Sequence, residues 1–413
     1  MSQATIDEVL VMARDLTAAL KSHDLATDST APLLKRVGNI RAALETPFDM
    51  ATRWLEAMGA ASAMQVLTRI KAFEKLPTNE DGSSITAADL AAACNVDVSV
   101  ITRAMRVLVI NGIAQETNKD AYAHNQTSLE FMPRALGSMV CMFVEFARAW
   151  AALPAYAACH APADLFDLYK TPFAYAVGRE GKTYYECYEN EDDDEDDAEE
   201  KRSLWNIGMQ QLGNHIPVTG MFPFEALRES VRRQPDRPFV VDVGGGRGQA
   251  LLAIQKHCQG DAFGGKLVLQ DLPVVLASLS PEDLPGIEPM PYNIFTPQPV
   301  KGESSYAHIY FFRHLLIDYP DHKAVEILRN TVSAMGPDSR LLINDMPVPD
   351  RTKLGDDHMV YLFDFMLLTM CGRERSMLEY GRIFDQVGLE LIATYKDKNS
   401  QMVVLETRLK RSE

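Results

Sequence analysis

Apolar and charged positions alternate at helical spacing over residues 5–44, with one internal proline, Pro32. A stronger helical stripe follows over residues 50–75, where Trp54, Leu55, Met58, Ala61, Val66 and Ile70 fall on or near one face. Leading helices of this kind pack on something else, either their own body or a partner subunit. Thr86 and Asp89 form a capping-box start for a helix over Leu90–Ala93. Asn95–Val96–Asp97 reads as a short turn, and Ser99 opens a second helix carrying Ile101, Met105, Leu108 and Val109. Asn111–Gly112 stops that helix, and Ile113 to Ala123 reads as a hairpin through Asn118–Lys119–Asp120. Helix, turn, helix and wing make a winged-helix unit, a module for DNA binding or for structure and dimerisation.

Residues 130–230 are helical in pattern and rich in Met, Phe, Tyr and Trp, interrupted by Pro154, Pro162 and Pro172. From Arg237 the pattern changes to short β-rich runs alternating with helices. The runs are Phe239–Val243, Lys266–Gln270, His308–Phe312, Arg340–Asn344, Leu389–Lys396 and Gln401–Leu405. Strand–helix alternation predicts an α/β fold with a parallel sheet and helices on both faces. The expected domains are a helical and winged-helix dimerisation domain over 1–130, a helical linker and substrate-pocket region over 131–235, and the sheet domain over 236–413.

Charge narrows the partners. The 413-residue chain carries a formal net charge of −16, which repels phosphate backbones and anionic membrane surfaces. The presumed recognition helix offers only Arg103 and Arg106. No nucleic-acid or membrane partner is therefore expected, which leaves a small-molecule substrate open. Part of the charge is local, in an acidic run from Glu189 to Glu200 broken only by Asn190 and Ala198. That run is expected to form a solvated, disordered loop between Tyr188 and Leu204. No apolar stretch approaches the roughly 20 residues needed to cross a bilayer, and Met1–Arg14 lacks a signal-peptide core. Six cysteines (94, 141, 159, 187, 258 and 371) are scattered without metal or CxxC spacing, so reduced, mostly buried thiols in the cytoplasm and no bound metal are expected.

The candidate chemistry lies at the ends of the predicted strands. Val240–Val241–Asp242–Val243 runs into Gly244–Gly245–Gly246–Arg247–Gly248, followed by a helix from about Gln249. Glycines there let backbone approach a ligand, and a helix N-terminus offers free N–H groups. Such a turn fits nucleotides, dinucleotides and S-adenosylmethionine, although its spacing departs from the dinucleotide pattern. The second strand ends on Asp271, placed either to accept two ribose hydroxyls or to cap a helix before Leu272–Pro273. Tyr292–Asn293–Ile294–Phe295 supplies an amide and a ring able to bracket a purine. Tyr310–Phe311–Phe312–Arg313–His314 is a buried strand entering a helix. All four pieces fall at strand carboxyl ends, where open α/β sheets bind ligands.

The segments DVGGGRG, LQDLP, NIFTPQP and FFRHLLIDYPD, with their spacings, resemble those of the fungal secondary-metabolite S-adenosylmethionine-dependent O-methyltransferases, which share the fold of the plant caffeic-acid O-methyltransferases. The resemblance extends to ALETPFD, TPFAYAVGREG, LLINDMPVPD and LGDDHMVYLFDFMLLTMCGRERS, and covers nearly the whole chain from about residue 40. It implies a class I methyltransferase Rossmann-like domain behind an N-terminal dimerising winged-helix domain, and a homodimer. It also implies S-adenosylmethionine as cofactor, held by Asp242, Gly244, Gly245, Gly246, Asp271, Leu272, Asn293, Ile294, Phe295 and Arg313. Asn293 stands where the family often has Asp.

One departure changes the expected reaction. The family's R-x-x-L-H-D-W/Y motif carries the histidine that deprotonates the acceptor hydroxyl. Here the segment reads Arg313–His314–Leu315–Leu316–Ile317–Asp318–Tyr319, with Ile317 at the base position. Isoleucine neither accepts nor donates a proton. His314 lies three residues earlier and is read either as a group reaching the reaction centre or as a packed histidine. Asp345 and Glu374 match the acids that orient the base; otherwise Asp345 is a turn former and Glu374 an ion-pair partner of a nearby Arg. His314, Asp345 and Glu374 are the candidate catalytic residues. Members of this fold that replaced the histidine resemble pericyclases, so a cycloaddition on a polyketide-derived substrate is expected, with O-methylation of an acidic enol or phenol as the alternative.

Overall fold

In the computed structural model, residues 5–24, 29–187, 195–302, 306–353, 356, 358–398 and 400–411 are described. The chain divides into two compact units, one of Met1–Ala147, Asn190–Leu212 and Lys353–Gly355, the other of Arg148–Glu189, Gly213–Thr352 and Asp356–Glu413.

In the first unit the leading segment is two helices, Ile6–Ser22 and Ala31–Leu44. Pro32 starts the second rather than kinking one long helix, since its fixed φ and missing N–H suit a first turn. Pro47–Arg69 follows, with the Thr46 hydroxyl accepting the Asp49 N–H. It buries Ala63, Met64 and Leu67, whereas Trp54, Leu55 and Met58 from the predicted stripe stay more than half exposed. Strands β1 (Ile85–Thr86), β2 (Gln115–Asn118) and β3 (Ala121–Ala123) form an antiparallel sheet in the order β1-β3-β2 beside helices Ala87–Cys94 and Val98–Ile110. Thr86 caps the first of these helices. The second is capped by Asp97, whose Oδ1 accepts the Ser99 N–H at 2.8 Å, so it begins one residue before the expected Ser99. Ile101, Met105 and Leu108 pack into one core with Leu90, Phe73 and Tyr122.

Two sequence expectations are corrected here. Glu195–His215 is helical, so the run expected to be a disordered loop to Leu204 is ordered from Glu195 onward. Residues 188–194 of the run lie outside the described residues. Leu136–Cys159 is a helix long and apolar enough, by length and composition, to cross a membrane, despite Glu145, Arg148 and Pro154 within it. Its Glu145 accepts from Gln65 Nε2 at 2.8 Å, its Phe146, Ala149 and Tyr156 are buried, and Trp150 Nε1 donates to the Phe365 carbonyl at 3.1 Å.

The second unit holds the main sheet: β4 (Pro238–Val243), β5 (Lys266–Asp271), β6 (Ile287–Pro291), β7 (Ile309–Arg313), β8 (Arg340–Asp345), β9 (Leu389–Lys396) and β10 (Val403–Leu409). The order is β6-β5-β4-β7-β8-β10-β9, parallel except for β10, which is antiparallel to both neighbours. This is the class I methyltransferase sheet. Val241, Tyr310, Phe312 and Ile343 are fully or almost fully buried against helices such as Asp321–Val332 and Met377–Val387. Each such side chain contributes about 1.5–3 kcal/mol by leaving water. From β4 the chain builds outward to β6, then returns to the other side of β4 as β7. That reversal puts the switch point, and with it the ligand crevice, at the carboxyl ends of β4 and β7.

Candidate functional site

At the end of β4 the backbone turns through three glycines with left-handed φ: 70° at Gly244, 59° at Gly246 and 81° at Gly248. A Cβ on Gly245 would lie 2.4 Å from Asp242 Oδ2, and one on Gly244 would lie 2.8 Å from Leu315 Cδ1. Only glycine lets this loop close over the strand. Asp242 is fully buried, and neither carboxylate oxygen has a hydrogen-bond partner. Burial pushes its pKa up to about 7, against the opposing pull of the Arg313 guanidinium. An orphaned acid is costly unless a ligand or a proton satisfies it.

Asp271, closing β5, accepts the Gly246 N–H through Oδ2 at 2.8 Å and the Leu272 N–H through Oδ1 at 2.7 Å. It therefore ties the glycine loop to the neighbouring strand, and Leu272 stands exposed beside it at the cap of Pro273–Ala277. Asn293 shapes the loop after β6: its Oδ1 accepts the Phe295 N–H at 3.0 Å, while the Ile294 carbonyl accepts from Asn330 Nδ2 at 2.9 Å. The Phe295 ring meets Tyr319 edge-on at 5.4 Å and carries the Lys323 ammonium over it at 5.1 Å. Arg313, closing β7, donates through Nη2 to the Gly213 and Ile216 carbonyls at 3.3 and 3.1 Å. Its buried Nε has no partner, and Asp242 and Asp345 both act on its charge.

His314 adopts a left-handed φ of 50°, uncommon outside glycine, with its N–H held by Asp345 Oδ1 at 2.9 Å. Its Nδ1 is 3.7 Å from that oxygen, and its buried Nε2 has no partner. Burial and the adjacent Arg313 depress its pKa to about 3, so the imidazole is neutral and a weak proton acceptor. Asp345 is filled from the protein side: its other oxygen accepts the Tyr380 hydroxyl at 2.6 Å, and burial raises its pKa to about 6. The pair braces the chain as it leaves β7.

Ile317 is buried in the turn Leu316–Asp318. Its carbonyl accepts the Arg373 N–H at 2.7 Å, and Arg375 donates to the Leu316 and Tyr319 carbonyls, each at 2.7 Å. These bonds fasten the Gly372–Ser376 loop, with Glu374, to the Ile317 turn. Glu374 is 2 % exposed and its two oxygens lack partners. Arg373 is engaged by Glu379, and Arg375 by Asp321 at 2.9 Å, so the ion-pair reading of Glu374 fails. Burial, with Asp345 and Asp364 nearby, holds its pKa well above the carboxylate range.

Sequence reasoning assigned no role to two residues that the fold brings here. Asp318 Oδ2 accepts the Tyr185 hydroxyl at 2.6 Å, across 133 positions of sequence. Burial raises Asp318 to about 7. Its place beside Ile317 was the one available signal; Tyr185 offered none.

Residues 170–390 match a family described as the O-methyltransferase domain. The O-methyltransferase hmp5 of Hypomyces subiculosus is 39% identical over 385 residues, covering 92% of this chain and 92% of that one. Among solved structures, OxaC with S-adenosylhomocysteine and oxaline superposes with a TM-score of 0.80 at 24% identity, covering 98% of this chain and 100% of that one. A protein described as a pericyclic reaction enzyme reaches a TM-score of 0.78 at 24% identity with the same coverage. At that identity the likeness speaks for the fold alone.

Proposed function

This chain belongs to the O-methyltransferase family, whose cofactor S-adenosylmethionine it uses, and from that premise we propose that it catalyses a pericyclic cyclisation rather than methyl transfer. The glycine cradle and the unpartnered Asp242 carboxyl suit a ligand bearing hydrogen-bond donors. Gly244 to Gly246, Asp271, Leu272, Asn293 to Phe295 and Arg313 would hold it. When bound, the cofactor supplies a fixed sulfonium charge that stabilises negative charge developing on a substrate.

Ile317 carries the reading. A general base is worth about 10²–10⁴ in rate, or roughly 3–5 kcal/mol of barrier, and the position that supplies it is a buried hydrocarbon. The surrounding groups are acids: burial raises the pKa of Glu374 well above the carboxylate range, and Asp345 titrates near 6. His314 is too weakly basic to replace the missing group. Cyclisation needs shape, polarisation and a proton donor more than a base. We take the substrate to be small, apolar and polyketide-derived. A non-transferable sulfonium analogue of the cofactor tests this reading on a panel of such compounds. Cyclisation should persist with the charged analogue and weaken with neutral S-adenosylhomocysteine; activity lost with both analogues contradicts it.

A second reading is favoured by one observation, the 39% identity to a protein known as an O-methyltransferase. An enol or phenol already ionised near pH 7 needs orientation but no base, and its methylation would suit the same site.

We further take the chain to act as a cytoplasmic homodimer through a winged-helix domain over 1–130, with a pocket region over 131–235 and the cofactor domain over 236–413. Exposed Trp54, Leu55 and Met58 support the dimer, and Arg106, already paired with Asp120 at 3.0 Å, argues against nucleic acid. The net charge argues against both nucleic acid and an anionic membrane.

A further inference from the structure

We propose that Asp318, held by Tyr185, is the catalytic acid of this site and that it acts on an oxygen of the substrate. The proposal rests on the reading of Ile317 as a lost base and names the group that handles the proton in its place.

Four observations converge on this pair. Asp318 follows Ile317 in the same turn, at the carboxyl end of β7 beside the switch point of the sheet. Tyr185, from the short turn Tyr185–Cys187, donates to Oδ2 at 2.6 Å, a length typical of a bond to an ionisable oxygen. Oδ1 has no protein donor among the described residues, and Asp318 is only partly buried, so this oxygen is open to a ligand. Among the described residues, no cation is among the groups that act on the carboxyl, so none pins it as a carboxylate.

The groups facing it are Tyr185, Tyr319, Asp345 and Glu374, together with the backbone of Arg373, whose guanidinium is committed to Glu379. Burial first, then the Asp345 charge, raises the Asp318 pKa to about 7, and the Tyr185 hydroxyl pulls it back. A group titrating there is matched to acid–base work at neutral pH. Glu374, buried and unpartnered next to the same turn, marks the cluster as built for something other than stability.

In the step itself, the proton on Oδ1 passes to a substrate carbonyl or enolate oxygen as negative charge gathers there. One O–H bond forms as another breaks. The carboxylate left behind is held by the Tyr185 hydroxyl and recovers the same proton as product leaves, so no proton is gained or lost overall. Asp318 touches the substrate, and Tyr185 is a positioning residue that sets the acidity of its neighbour.

The test needs no turnover. With S-adenosylmethionine bound, the full chain is titrated with 2,4-dinitrophenolate, an oxyanion that stays ionised across the range, from pH 6 to 9. Wild-type affinity should fall above pH 7, approaching tenfold per unit, as the Asp318 proton is lost. Asp318→Asn, whose amide donates at every pH, should bind with a flat profile. Tyr185→Phe should move the midpoint up by about one pH unit, because the lost bond favoured the carboxylate. Difference infrared titration of the unliganded chain should show two carboxyl groups losing protons near pH 7, Asp242 and Asp318, and Asp318→Asn should lose one of the two. Failure of the wild type to bind the phenolate at millimolar concentration, retention of its pH profile by Asp318→Asn, or an unmoved midpoint in Tyr185→Phe would overturn the proposal. A pair that merely tethers the turn changes stability and leaves the profile alone. Because methyl consumption plays no part in these readouts, they can succeed even if the chain proves to be a methyltransferase.

Discussion

Single residues near the β7 exit decide which reaction this site can run. Replacing Ile317 with His puts a proton acceptor where the family has one, but among buried acids and in place of a packed side chain. That lost packing is worth about 1–3 kcal/mol. Cyclisation should slow, and methyl transfer should appear or rise with a histidine-like limb in its pH–rate profile. A cyclisation rate improved by Ile317→His contradicts the account. At Asp271, truncation to Ala removes acceptors that hold the Gly246 and Leu272 N–H groups, and with them the ribose contacts proposed for this carboxylate. Cofactor binding should weaken by about 1.5–3 kcal/mol by calorimetry. Asp242 links site to stability. Its folded pKa of about 7 exceeds the ordinary carboxyl value, so the native state holds a proton that the unfolded chain loses between about pH 4 and 7. Stability of the cofactor-free protein therefore falls as pH rises through that window and levels off above it. Urea midpoints at pH 5 and 8 should show Asp242→Asn losing less stability than wild type over that interval, by about 1–3 kcal/mol. Asp242 and Asp271 stand out in the sequence as acids at the carboxyl ends of strands, one just before the glycine turn and one closing β5, whereas Arg313 stands out only through the motif resemblance. The partner of Asp318 does not stand out, because a tyrosine 133 positions away leaves no periodic trace.

Elements were legible where local chemistry dictates them. The buried runs of β4, β5, β7 and β8 mark strands covered on both faces, and each was placed within a residue or so of its observed ends. The reading gave no bounds for β6, because Pro289 and Pro291 break its strand pattern; an edge strand tolerates them. β10 runs past the expected Leu405 to Leu409 through a register shift between Glu406 and Thr407, which alternation alone does not foresee. The Gly372–Ser376 loop is the element that places Glu374. A Cβ on Gly372 would lie 2.4 Å from the Ile317 carbonyl, so Gly372→Ala must part the loop from the turn. The expected cost is about 1–3 kcal/mol by urea unfolding, with loss of cyclisation. Unchanged activity in that variant would mean that Glu374's position is immaterial.

For the whole molecule, the amphipathic start of the chain is the open question that its own fold leaves. No residue of Ile6–Ser22 or Ala31–Leu44 is buried, and Phe48, Trp54 and Leu55 are largely exposed. Apolar surface on this scale points to a partner, and light scattering at micromolar concentration should return the mass of two chains; a mass of one chain rejects the homodimer. The sequence revealed the apolar stripe near the start of the chain and the α/β sheet, because both are written in pattern. It could not reveal the substrate, since side chains that shape a pocket follow no period. The central claim is that the family's cofactor is kept while its methyl group is not spent. The most direct measurement is a stoichiometry: product formed against labelled methyl consumed, with purified protein, methyl-labelled S-adenosylmethionine and polyketide-derived substrates. The account predicts many turnovers of cyclised product with the label retained in the cofactor; one labelled methyl transferred per product would contradict it.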